Sequence, residues 1–150
     1  MFYIRKEKEM KEQCRSLIAL LVILATLFAL VACNTVSAEG KWENATYRRD
    51  KSFGDGETTI TVDVIAGENS VTFTISTDKE TLADALLEHK LIEGDNSEFG
   101  IYIKKVNGIT ADYDVDQSWW GVMEDGKDSP VGASSVEIAD GKHYALVYKK

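Results

Sequence analysis

The 150-residue chain is poor in proline, cysteine and histidine, with one Pro, two Cys and two His. One proline and eleven glycines in a chain that is 44% apolar and 28% charged exclude a disordered composition and fit one ordinary globular domain. The cysteines are Cys14 and Cys33, so everything beyond Cys33 lacks a disulfide framework, a cysteine-rich zinc site and a cysteine nucleophile. Histidine is confined to His89 and His143, which leaves few groups to poise for acid–base work near neutral pH. A nucleophile elbow, a Ser-x-x-Lys arrangement and a phosphate-cradling glycine loop are all missing. The sequence reads as a protein that is not an enzyme.

Leu17–Ala32 is a run of sixteen uncharged residues. It is shorter than the roughly 18 to 20 a spanning helix needs, follows the basic Lys11 and Arg15, and ends in small residues. This is the pattern of an export signal, and a start at Met10 instead of Met1 drops the acidic Glu7 and Glu9 from it. From Cys33 onward twelve Lys or Arg face twenty-two Asp or Glu, a formal charge of −10 against −8 for the whole chain. So acidic a surface argues against nucleic acid, whose phosphates need Lys and Arg, and against peripheral binding to anionic lipid. Cations and neutral ligands stay open.

Leu30-Val31-Ala32-Cys33 resembles a bacterial lipobox. That resemblance implies a signal peptide over 1–32, lipidation of Cys33 and anchoring on the extracytoplasmic face of the cell membrane. Several acyl chains, at about 0.8 kcal/mol per buried CH₂, hold stably where one does not. Val36-Ser37-Ala38 fits an ordinary cleavage site as well, which would give a secreted protein.

Residues 33–56 are polar and read as a tether; a flexible chain of that length reaches about 25 Å. Trp42, Tyr47 and Phe53 offer the alternative of packing onto the domain edge. The domain proper is expected over 57–150. Thr59–Val64 and Val71–Ser76 alternate apolar with polar residues around the turn Gly67–Ser70, which predicts a β-hairpin burying Ile60, Val62 and Val64 against Val71, Phe73 and Ile75. Thr77-Asp78-Lys79-Glu80 has capping-box spacing, and Leu82, Ala85, Leu86 and His89 recur at helical spacing. One amphipathic helix is expected over about 79–91, stopping near Gly94. His89 would be a satisfied, partly buried residue near the helix C-terminus. Ile101–Val106 with the turn Asn107-Gly108, Ser118–Met123, and His143–Tyr148 after the turn Asp140-Gly141 read as further strands. The fold class expected is α+β, a β-grasp-like small mixed sheet with one amphipathic helix packed on one face.

Two clusters carry chemistry. Asp112, Asp114 and Asp116 place three carboxylates at period two, where an extended or looped segment could converge on calcium. The EF-hand pattern fails beyond them, because Gln117 replaces the glycine and Met123 the glutamate. Trp119-Trp120 on a strand sends one indole inward and one outward, and an exposed indole is a platform for a flat ring. Tyr102 and Tyr113 add aromatic surface with polar tips.

From Phe53 to Lys150 the chain resembles the transcobalamin-like C-terminal domain family (domain of unknown function 4430). The resemblance rests on the order of Phe53-Gly54-Asp55-Gly56, Thr77 to Leu86, Gly100-Ile101-Tyr102-Ile103 and Val106-Asn107-Gly108-Ile109. Ala111-Asp112-Tyr113-Asp114, Trp119-Trp120, Gly132 and Asp140-Gly141 follow. It implies a binding protein for a corrinoid (cobalamin-like) or related small ligand, captured outside the cell and passed to a membrane importer. In the animal carriers of this family a helical-barrel domain forms the opposite wall of the site, and this chain has no room for it. A second binding protein would have to supply that wall. By this analogy Trp119, Trp120 and the 109–118 loop, which holds Tyr113, are the ligand residues, with Tyr102 added as aromatic surface. A protein-interaction or structural surface module and a divalent-cation domain remain as alternatives.

Cys33→Ser is expected to move the protein from the membrane to the soluble fraction on cell fractionation; a variant that stays with the membrane contradicts the anchor.

Overall fold

The computed structural model describes residues 38–150. Cys33, the apolar run and the cleavage sites lie outside them. Among the described residues no helix is long and apolar enough to cross a membrane.

The hairpin forms as its alternation dictates. β2 (Thr58–Ala66) pairs antiparallel with β3 (Asn69–Thr77), and the register sets Ile60 opposite Ile75, Val62 opposite Phe73 and Val64 opposite Val71. All six are fully or almost fully buried. β1 (Lys51–Phe53) adds in parallel to β3. On the other side of β2 lie β9 (His143–Lys149), parallel to it, then β7 (Trp119–Glu124) and β8 (Lys127–Asp128), so the six-stranded mixed sheet runs β1-β3-β2-β9-β7-β8. A second, antiparallel sheet contains β4 (Ile92–Ser97), β5 (Gly100–Val106) and β6 (Ile109–Thr110). The architecture is mixed α+β, mostly strands, with two sheets where one was expected.

The main helix is shorter than its periodicity suggested. α2 spans Leu82–Glu88, and its N-cap is Thr81, whose hydroxyl accepts from the Asp84 amide at 3.2 Å, not Thr77. Thr77 serves elsewhere: its hydroxyl accepts from the Lys79 amide and donates to Glu88 across the helix. The C-terminus is a Schellman motif with Lys90 in the left-handed region at φ 56°. Lys90 N–H donates to Leu87 and Leu91 N–H to Leu86, which satisfies the last carbonyls well before Gly94. Gly94 instead belongs to β4 at a register irregularity. A Cβ there would lie 2.0 Å from the Tyr102 carbonyl oxygen, so the glycine admits a close backbone approach instead of ending a helix. Leu82, Ala83, Ala85 and Leu86 bury their helix face in the same core as the hairpin residues.

The residues read as a tether are structured from Ala38 onward. α1 (Ala38–Lys41) and a 3₁₀ turn (Trp42–Asn44) precede β1, and Trp42, Tyr47 and Phe53 pack against the core. Tyr47, Phe53 and Phe73 form a triangle of edge-to-face rings with centroids 5.5 to 5.8 Å apart. Asn107 fixes this strap to the second sheet. It sits in a two-residue turn with Gly108, both at positive φ, between β5 and β6. Its side-chain amide donates to the Tyr47 carbonyl at 2.7 Å and accepts from the Tyr47 amide at 2.8 Å. A buried asparagine with both halves of its amide bonded costs little to bury and much to unpair.

Phe73→Ala removes the ring common to hairpin and strap and is expected to lower unfolding stability by about 4 kcal/mol in urea titrations. A loss under about 1 kcal/mol contradicts the shared core.

Candidate functional site

The loop between β6 and β7 carries most of the predicted site residues, and its shape follows from its short polar side chains. Asp112 is the N-cap of α3 (Tyr113–Asp116), one carboxylate oxygen accepting from the amides of Asp114 at 3.0 Å and Val115 at 3.3 Å. Gln117 leaves the turn at φ 59°. Ser118 is fully buried, and its hydroxyl accepts from the Asp112 amide and donates to the Asp116 carboxylate. The loop thereby closes on itself.

Lys41 of the strap locks it from outside. Its ammonium lies 2.8 Å from Asp116 Oδ2, donates to the Thr110 carbonyl at 3.2 Å and sits 5.0 Å above the Tyr148 ring. The Tyr148 hydroxyl reaches the same carboxylate at 3.5 Å. Hydrogen bonds from Lys41 and Ser118 hold the Asp116 carboxyl down to about 2 from the ordinary 3.8, against the opposing effect of burial. Burial also opposes the Lys41 charge, yet its interactions with Asp116 and Tyr148 leave its pKa raised. Lys41 carries no sequence signal of this role, since its partner is 75 residues away.

The structure does not bring the three aspartates together. The segment is a helical turn, neither extended nor a calcium loop, so Asp112 caps backbone amides, Asp116 pairs with Lys41, and Asp114 is exposed. Among the described residues no group of three or more His, Cys, Asp or Glu is placed to hold a metal ion. Lys104 answers part of the remaining charge. Its pKa is raised first by its hydrogen bond to Asp95, then by the charge of Asp95, and further by Asp112 and Asp114. An open groove of about 710 Å³ runs between Gly40, Lys41 and Asn44 of the strap and Gly108, Thr110, Asp112, Val115 and Asp116. The charged groups on its walls are largely spent on one another.

The tryptophans separate as strand alternation requires. Trp120 is 6% exposed, edge-on to Tyr148 at 5.6 Å, with an indole N–H that has no partner. Trp119 is 38% exposed and meets Tyr113 edge to face, centroids 6.3 Å apart at 63°. Tyr113 and Val115 are exposed on α3. Of the four predicted ligand residues the structure therefore brings Trp119 and Tyr113 together in solvent and puts Trp120 in the core. Tyr102 is exposed on β5, and no aromatic contact joins it to that pair among the described residues.

The histidines stand apart from this platform. His143 pairs with Asp63 at 2.9 Å, and Thr72 donates its hydroxyl to that carboxylate instead of to the imidazole. His89 stacks on Phe53 at 5.2 Å as the C-cap of α2. It is partly buried as expected, but its Nε2 has no hydrogen-bond partner, so it is not a satisfied residue.

The fold and this loop define a small α+β domain whose exposed aromatics are held by a polar lock. A family model described as Domain of unknown function (DUF4430) matches residues 79–149. A crystal structure of a candidate metal binding protein from Ruminococcus gnavus ATCC 29149 is 33% identical, at TM-score 0.59, covering 63% of this chain and 98% of that one. The chain belongs to the DUF4430 family. Haptocorrin in complex with Cbi is also similar, at 19% identity and TM-score 0.49 over 65% of this chain. The match spans about a quarter, 26%, of the haptocorrin chain. No curated protein matches significantly.

Because the folded pKa of Asp116 lies below its ordinary value, its pairing stabilises the fold above about pH 4 and is lost as pH falls toward 2. Asp116→Asn is expected to cost about 2 kcal/mol at neutral pH and to flatten the stability profile between pH 4 and 2, measured by urea unfolding. An unchanged profile contradicts the lock.

Proposed function

We propose that the chain is an extracytoplasmic binding protein, anchored by lipid on Cys33, for a corrinoid or related small molecule with a flat conjugated ring, and that it feeds uptake. The observation that carries this reading is the exposed Trp119–Tyr113 pair, which meets edge to face at 63° where the loop tied by the Asp116 lock runs into β7. An indole face bordered by a second ring edge suits a planar apolar ligand. The sequence landmarks of the transcobalamin-like domain support the ligand class, and Leu30-Val31-Ala32-Cys33 supports the anchor.

The β-grasp reading is favoured by β9 running parallel beside the first hairpin strand while α2 buries its apolar residues in the same core as the hairpin. Binding without catalysis is favoured by the histidines: among the described residues both lie beside carboxylates, His143 by Asp63 and His89 by Glu88, and neither hydrogen-bonds a hydroxyl. The platform is one open wall, so a membrane importer or second binding protein is the partner that closes the site. Phe99, 84% exposed at the β4–β5 turn, favours a second reading in which the domain docks another protein.

Cyanocobalamin or cobinamide added to the full-length chain in detergent micelles is expected to quench tryptophan fluorescence saturably. Trp119→Ala should weaken that binding by about tenfold or more. Absence of saturable quenching by both corrinoids contradicts the ligand, and leaves the exposed Phe99 surface as the functional one.

A further inference from the structure

The outer face of the larger sheet has a gap beside Trp119. Side chains alternate along β7, so Trp119, Gly121 and Met123 share the face opposite buried Trp120. Gly121 leaves the middle of that row without a side chain. Its backbone does not require glycine, because its φ is not positive. What the missing side chain supplies is room.

Lys149 fills that room. It stands directly opposite Trp119 in the β7–β9 register, and a Cβ on Gly121 would lie 2.7 Å from Lys149 Cε and 3.1 Å from its Cδ. The stem thus lies across the glycine, and its ammonium pairs beyond it with Asp128 on β8. Asp128 is 67% exposed and Lys149 30% exposed, so water and salt screen the pair, and letting it go costs little. Nothing in the backbone has to move when the side chain swings away.

We propose that the gap over Gly121, flanked by Trp119 and Met123, is the seat of the ligand's ring edge, and that Lys149 is its displaceable cover, latched by Asp128. This rests on the small-molecule reading of the Trp119 face. The chemistry it selects is a flat conjugated ring with an anionic or carbonyl group at its edge. The ring takes the place of the lysine stem over Gly121, beside the indole, and the edge group takes the ammonium released from Asp128.

The test uses the full-length chain in detergent micelles. Acrylamide quenching of Trp119 fluorescence, isolated by difference from Trp119→Phe, should rise in Lys149→Ala; unchanged quenching overturns the cover. Affinity for cyanocobalamin or cobinamide should rise up to about fivefold in Asp128→Asn, which unlatches the ammonium without removing it, the amount an exposed ion pair can hold back. It should fall about tenfold or more in Gly121→Leu, which fills the gap permanently. Gly121→Leu that binds like the parent overturns the seat. Increased quenching in Lys149→Ala with no corrinoid bound by parent or variant leaves the cover standing and removes the small-molecule reading on which the seat depends.

Discussion

The Asp116 carboxylate accepts from the Lys41 ammonium, from both the hydroxyl and the amide of Ser118, and from the Tyr148 hydroxyl. These donors come from the strap, the loop itself and the last strand. A carboxylate so supplied stays ionised and ties together three parts of the chain at one point. The loop from Ala111 to Ser118 owes its shape to this anion, and the aromatic pair at its end owes its orientation to the loop. Burial of Trp120 against Tyr148 works in the same direction, since it pins β7 to β9 directly behind Trp119.

The strap changes the account of the N-terminal side. Residues that looked like spacer carry Lys41 to Asp116, Tyr47 to Asn107 and Phe53 to Phe73. Each contact joins positions distant in sequence, and together they make the segment before β1 part of the domain. Ala38, the first described position, lies five positions after Cys33, and a fully extended chain of that length covers at most roughly 18 Å. An anchor on Cys33 would therefore keep the domain close to the headgroups.

Local patterns in the sequence were legible where one physical demand dominated. Strict alternation fixed the hairpin and its buried face; Asn107-Gly108 announced its turn; adjacent tryptophans on a strand had to part. The helix was legible in its apolar face but not in its ends, because two threonines competed for the cap. Thr81, with Asp84 three residues on, won over Thr77, which the fold needed against Glu88. Gly94 looked like a stop signal because a close strand approach and a helix end both select glycine. The acidic triplet is not gathered as its spacing of two suggests, because the first aspartate caps a turn and the third pairs with a lysine. Lys41 could not have been found from sequence, since a surface lysine looks the same with or without a distant partner.

If the Asp116 lock governs the aromatic platform, its effect must be local. Amide hydrogen exchange in Lys41→Met compared with the parent chain tests this most directly. The account predicts faster exchange through residues 111–119 with β2, β3 and β9 unchanged. Exchange that is unaltered in 111–119, or raised equally throughout the sheet, would contradict it.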